Sequence, residues 1–207
     1  MTAKTQGIGA FLGVFLFATV AFAQELPPLA DILADRVLGK ADAPVTMIEY
    51  ASLTCPHCAA FHGDQLQQIK KNYIDTGKVL LVFRDFPLDR LALAASMMAR
   101  CAPKERYFGI ISALFLGQQS WARDPNPTGA LAGVGRLAGM PQETFEACLK
   151  DRDVLNGIVK MRSEAEKQYG VESTPTFIIN GQKIEGGQPY ETFAQVIDAA
   201  LAAKKKN

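Results

Sequence analysis

The sequence predicts an α/β protein in which an all-helical segment is inserted into a small sheet domain. Three observations predict it. After residue 43, short β-leaning apolar runs occur only towards the two ends of the chain. Between them, from Asp89 to about Gln168, the sequence reads as helix throughout. The composition is that of a folded chain: 207 residues, 48% hydrophobic and 21% charged, are ample for a buried core and exclude a disordered or collagen-like protein.

The chain opens on Met1–Gln6, polar with Lys4 as its only charge, and continues as an uninterrupted apolar or small-residue run, Ile8–Ala23, ending in Ala21-Phe22-Ala23. A positive start, an apolar middle and an Ala-x-Ala exit are the three parts of a secretory signal peptide. The run has 16 residues, short of the ~18–20 that span hydrocarbon, and Gly9 and Gly13 weaken it as a core helix. Cleavage is expected after Ala23, giving a soluble protein in an exported compartment, the periplasm, where disulfides persist. No cysteine lies near that site, so a lipid-anchored N-terminus is not expected.

Residues 24–43 hold Pro27-Pro28 and an amphipathic stretch, Leu29–Leu38, and read as a lead-in segment. Residues 44–88 form the first part of the sheet domain. Val45–Tyr50 is a buried strand; Pro56 to about Thr76 is a helix that Gly77 closes, with Phe61, Leu66, Ile69 and Tyr73 near helical spacing; Val79–Phe83 is a second buried strand, ended by Phe86-Pro87. Residues 89–168 are the helical insertion, with candidates Leu91–Cys101, Glu105–Leu116, Gly129–Ala138, Gln142–Lys150 and Arg152–Tyr169. Pro103, Asp124-Pro125-Asn126-Pro127 and Met140-Pro141 separate them. In residues 169–207 strand chemistry returns at Thr176–Ile179. Asn180-Gly181 is a two-residue hairpin signal, Lys183–Glu185 the return strand, and Pro189-Tyr190-Glu191 opens a last helix to about Ala203. Lys204–Lys206 reads as the cation-rich end of that helix.

Charge excludes one class of function. Lys+Arg is 22 and Asp+Glu 21; with Lys4 in the leader, residues 24–207 carry 21 against 21. A nucleic-acid binder needs a basic footprint, and the totals hold none.

Cys55-Pro56-His57-Cys58 follows the first strand and opens a helix. Proline is favoured at the first helical position, which makes Cys55 the N-cap. The N–H groups of His57 and Cys58, unpaired at a helix start, and the positive end of the helix dipole then favour a thiolate at Cys55. His57 adds a ring donor or cation within reach. Cys58, one turn in, is close enough to bridge to Cys55 and is expected to be shielded and an ordinary thiol. The pair is asymmetric: an exposed attacking or leaving sulfur and a buried resolving one. Each pKa unit by which Cys55 falls below ambient pH stabilises the reduced form by ~1.4 kcal/mol, or ~30 mV for a two-electron couple. A depressed Cys55 therefore makes the disulfide an oxidant. Two other readings compete. A zinc half-site would need partners among His57, His62, Cys101 and Cys148, which show no second CxxC or HxxxH; a purely structural bridge closes too small a loop to constrain the chain.

The strand–CPHC–helix unit, the helical insertion and Thr174-Pro175 resemble the thioredoxin fold, and specifically the DsbA family of exported thiol:disulfide oxidoreductases. The resemblance covers about residues 40–203 and is strongest over Glu49–Cys58, Phe83–Leu88 and Thr174–Gly181. It implies a thioredoxin-like fold with an inserted all-helical domain, with Cys55 as nucleophile and Cys58 as resolving cysteine. Pro175 takes the place of the family's cis-proline, beside which Thr174 presents its backbone to an extended substrate. Glu49 matches the buried acid that exchanges protons with Cys58. Thr174 is also a departure, since it is associated with isomerase and reductase relatives, and Ser173 replaces a frequent glycine; both bear on which membrane partner docks. The isomerases carry an N-terminal dimerisation domain, for which the lead-in is too short.

Cys101 and Cys148 both fall in the helical block. In an oxidising compartment they most simply form a structural disulfide, worth ~4 kcal/mol for a loop of about 48 residues, with free core thiols or a second redox pair as alternatives. His62 reads as a surface residue, Trp121 as insertion core, and Phe108, Ile111, Leu114 and Phe115 as core at helical spacing. No nucleotide, haem or metal site is suggested, and the redox-active disulfide is the only prosthetic chemistry expected. The function expected first is a monomeric periplasmic dithiol oxidase, reoxidised by a membrane quinone-linked, DsbB-like partner and acting on reduced or unfolded secreted proteins. The alternatives are a reductase or isomerase kept reduced by a membrane electron donor, and a metal-holding or chaperone-like module.

Overall fold

The computed structural model describes residues 26–204, so the expected leader, residues 1–23, and the last lysines lie outside the described residues. The strands are β1 (Arg36–Leu38), β2 (Val45–Ala51), β3 (Val79–Asp85), β4 (Thr176–Ile179) and β5 (Gln182–Glu185). They form one mixed sheet in the order β1-β3-β2-β4-β5. The three most apolar runs occupy its centre, where both faces are covered. β2 and β3 pair in parallel, Val45 opposite Val79 through Ala51 opposite Asp85. A parallel pair needs a crossover, supplied by α2 (Pro56–Gly63) and α3 (Gln65–Ile69). β4 runs antiparallel to β2 and β5 antiparallel to β4. Asn180 (φ 48°) and Gly181 (φ 92°) both take the positive φ that a tight hairpin of this hand requires.

Alternation along β2 turns Val45, Met47 and Glu49 to one face. There Val45 and Met47 pack with Phe61, Leu66 and Ile69 of the crossover and with Phe193 and Ile197 of α10 (Tyr190–Lys204). The insertion runs α4 (Arg90–Cys101), α5 (Tyr107–Leu116), α6 (Gln118–Trp121), α7 (Pro127–Leu137), α8 (Gln142–Lys150) and α9 (Arg152–Tyr169). Side chains of Asp89, Asn126 and Asp151 cap α4, α7 and α9, and Gly170 (φ 60°) ends α9 in the left-handed conformation. Its core, with Trp121 buried, is continuous with Ala51, Leu53, Phe83 and both CPHC cysteines. The structure joins Cys101 to Cys148, linking the end of α4 to α8.

Four details differ from the sequence reading. The amphipathic stretch Leu29–Leu38 is divided into α1 (Leu29–Leu33) and β1, which adds to the sheet with Arg36 opposite Phe83. A three-residue edge strand is too short to show a period. The helix expected over Pro56–Thr76 breaks after Gly63, where Asp64 leaves helical geometry (φ −126°, ψ −77°), and Lys70–Ile74 winds as a π-helix. Glycine, the weakest helix former after proline, sits at that break. Residue Glu105 lies in a 3₁₀ turn, Lys104–Arg106, that follows Pro103 and precedes α5. The short α6 went unforeseen.

A buried charge cluster fastens the lead-in to the domain. Arg100, fully buried, donates through Nε to the buried carboxylate of Asp85 and through Nη1 to the carbonyls of Ile32 (2.9 Å) and Ala34 (3.0 Å). Arg36 Nη2 donates to the Arg100 carbonyl at 3.0 Å. Truncating Arg100 would leave Asp85 charged and unpaired in the core, so Arg100→Ala should cost about 3–5 kcal/mol. An unchanged urea midpoint for that variant would refute this role.

Candidate active site

β2 ends at Ala51 and the chain turns through Ser52-Leu53-Thr54 into Cys55. The turn is held from two sides. The Leu88 N–H donates to Ser52 Oγ (3.3 Å), and Thr54 Oγ1 donates to Asp89 Oδ2 (2.6 Å). From the insertion, the buried Gln118 side chain donates through Nε2 to the carbonyls of Leu53 (2.8 Å) and Cys55 (3.0 Å). Nothing in the sequence marks Gln118; only the docking of α6 against this turn does. Asp89 marked the start of the helical block in the sequence, and the structure makes it both the cap of α4 and the partner of Thr54.

Cys55 is extended (φ −77°, ψ 119°), with Pro56 at the first helical position, as its sequence requires. Cys55 is 5% exposed and Cys58 0%, so the first sulfur is far less open than the sequence suggested. The loop carrying Pro175 crosses in front of it, and the Thr174–Pro175 bond is cis. Cys55 Sγ–H donates to the Thr174 carbonyl at 3.2 Å. The Gly186 N–H donates to the Pro175 carbonyl (2.8 Å), tying this loop to the end of β5.

The two thiols are driven apart. Cys55 is lowered to about 5, first by the hydrogen bond from the Cys58 thiol. Burial opposes this, while the Thr174 side chain and the N–H groups of Cys58 and His57 add to it. The weights differ from the sequence reading, in which the helix amides came first. No side-chain cap bond forms in the thiol state, and the amides act as nearby dipoles. Among the described residues the buried Thr174 hydroxyl has no hydrogen-bond partner while Cys55 is a thiol, so it is free to turn its proton to the sulfur once that sulfur ionises. The exposed His57 contributes its amide to the sulfur. Cys58 is no ordinary thiol. Burial pushes it well above the usual range, helped by its bond to Cys55 and by the charges of Cys55 and Glu49.

Glu49 is fully buried on β2, and His62 Nε2 lies 2.9 Å and 3.1 Å from its two carboxylate oxygens. This corrects the surface reading of His62, which is 6% exposed. Its place one turn beyond Cys58 was the available signal, since residues at i and i+4 share a helix face. Among the described residues no group of three or more His, Cys, Asp or Glu is placed to hold a metal ion.

Known proteins share this fold. The family model named Thioredoxin matches residues 32–199. The crystal structure of alpha-DsbA1 from Wolbachia pipientis superposes with a TM-score of 0.77 at 36% identity, covering 82% of this chain and 92% of that one. This chain belongs to the DsbA family. A protein-disulfide oxidoreductase of Rickettsia bellii is 31% identical over 83% of this DsbA-family chain, which spans 66% of that relative's length. Disulfide bond formation protein D of Bacillus subtilis is 27% identical, with 84% and 80% of the two chains covered.

Thiolate absorbance followed against pH should place the Cys55 midpoint near 5. In Cys58→Ala, which removes the strongest donor, the midpoint should rise. A midpoint that stays put would assign the depression to the helix amides instead.

Proposed function

We propose that this chain is an exported dithiol oxidase that donates a Cys55–Cys58 disulfide to folding secreted proteins. The observation that carries the reading is the Cys55 thiol held at about 5 beside a Cys58 thiol pushed up. Two units below neutrality stabilise the reduced form by about 3 kcal/mol, or roughly 60 mV of oxidising power. The role of each residue follows. A substrate thiolate attacks Cys55 Sγ; the Cys55–Cys58 bond breaks and Cys58 leaves as a thiolate that takes a proton. A second substrate thiolate then attacks the substrate sulfur of the mixed disulfide and releases Cys55 as a stable thiolate. Two electrons pass to the protein; of the two thiol protons, one stays on Cys58 and one goes to water. Thr174 and Pro175 offer backbone to an extended substrate segment. Glu49 is the buried group that exchanges the Cys58 proton, and Cys101–Cys148 is a structural bridge.

On this reading residues 1–23 are a leader removed on export to the periplasm. Residues 44–88 and 169–207 form the thioredoxin-like domain, to whose sheet the 24–43 lead-in adds β1, and 89–168 the helical insertion. A membrane quinone-linked, DsbB-like protein reoxidises Cys55 and Cys58. A second reading, a reductase or isomerase kept reduced by a membrane donor, is favoured by Thr174 before the cis-proline. It also draws on a likeness to a protein-disulfide isomerase of Novosphingobium aromaticivorans (25% identity, TM-score 0.70).

Equilibration with glutathione should leave the protein mostly reduced under conditions where an unperturbed dithiol is mostly oxidised, while cysteines trapped in the producing cell should be oxidised. A mostly reduced pool in the cell would select the second reading.

Stability gives an independent check. The depressed Cys55 stabilises the reduced fold at pH above the free-thiol value of about 8.5 and loses that gain as pH falls through about 5. The raised Cys58 acts oppositely, removing stability above about 8.5, where the unfolded chain would ionise. The advantage of the reduced over the oxidised protein in melting temperature should therefore grow as pH rises from about 5 and peak near 8.5. An oxidised form that melts higher at pH 7 would contradict the oxidase reading.

A further inference from the structure

Cys58 must gain a proton each time its disulfide opens and lose one each time it closes, yet it is 0% exposed. Glu49 acts on it electrostatically and is itself 0% exposed. Passing a proton to Glu49 therefore does not bring it to water. His62 is the group that does reach further. Its Nε2 spans both Glu49 oxygens, and the residue lines a cavity of about 310 Å³ between the crossover helices and α5, walled by Ala59, Gly63 and Gln67 on one side and Ser112, Phe115 and Leu116 on the other. That wall includes no residue of the Thr174–Pro175 loop, nor Cys55 or Cys58.

Three aromatic rings pack around the imidazole. Phe115 lies 4.2 Å from it, centroid to centroid, Phe61 5.8 Å and Phe83 5.9 Å. Gln67 Nε2 donates to the His62 carbonyl at 2.9 Å. The titratable groups around the pair are Glu49 from β2, Cys58 on the same helix as His62, and Tyr107 from α5, on which Glu49 acts; β3 presents Phe83 and α3 presents Gln67.

We propose that His62 is a proton relay between Glu49 and this cavity, so that the Cys58 proton is exchanged through the back of the site while substrate occupies the front. When the disulfide opens, a proton passes from water in the cavity to His62 Nδ1, from His62 Nε2 to the Glu49 carboxylate, and from Glu49 to the departing Cys58 thiolate. Glu49 is left an anion and His62 in its other neutral tautomer. When the disulfide is remade, each proton moves the other way. No electron passes through the relay. The inference rests on Glu49 serving Cys58, and the test separates the two.

The whole chain is prepared with Cys55 in a mixed disulfide with glutathione, and glutathione release by Cys58, which requires loss of the Cys58 proton, is timed against pH. Glu49→Gln should slow release by about tenfold to a hundredfold, and His62→Gln by a comparable factor. The rate at which Cys55 in the reduced protein attacks glutathione disulfide should not change in His62→Gln, because that step needs no Cys58 proton. His62→Gly with added imidazole should regain much of the lost rate; this arm also covers a poorly folding glutamine variant, and a structural role would give no rescue. Slow release in Glu49→Gln with a wild-type rate in both His62 variants overturns the relay and spares Glu49. Wild-type release in Glu49→Gln overturns both.

Discussion

A sulfur anion on a residue that is only 5% exposed can exist at neutral pH only if the protein supplies the donors that water would have supplied. Around Cys55 those donors come from two separate parts of the chain: the start of α2, with the Cys58 thiol and the amides of His57 and Cys58, and the Thr174 side chain, more than a hundred residues away. The rest of the architecture serves to keep these parts in register. The parallel β2–β3 pair sets the start of α2, β4 and β5 hold the cis-proline loop, and Gln118 and Asp89 clamp the turn from the insertion. The donors are fixed before the charge appears, so little reorganisation is needed when it does.

Stabilising one sulfur as an anion raises the other. Burial does most to hold the Cys58 proton, and lending that proton to Cys55 holds it more tightly still. The consequence is a site with a readily ionised sulfur at its mouth and a proton that is hard to move at its floor. Glu49 and His62 sit at that floor, on the face of β2 that α2 and α5 cover. Placing them there costs desolvation, which their mutual hydrogen bonds offset.

Much of this was readable in the residues. VTMIEY, VLLVF and TFII are short apolar runs bounded by turn residues, and each is a central strand. Asn180-Gly181 formed its hairpin, and Pro56 its helix start, because both depend on backbone geometry encoded within two residues. What went unread depends on neighbours. His62 has no local signature that separates a surface imidazole from one facing a buried carboxylate. Arg100 lies in an apolar helix whose pattern does not reveal an internal aspartate on another strand. β1 is a strand only because β3 has a free edge beside it.

By itself the sequence determined the sheet's central strands, the helical insertion, the position of Cys55 at a helix start and the pairing of its chemistry with Cys58, because these follow from spacing, propensity and capping along a few consecutive residues. Tertiary structure alone decided how deeply that sulfur is buried, which donor matters most to it, and that Glu49 meets His62. Those outcomes depend on distances between segments brought together by folding, and pKa values respond to atoms a few ångströms away wherever in the chain they originate.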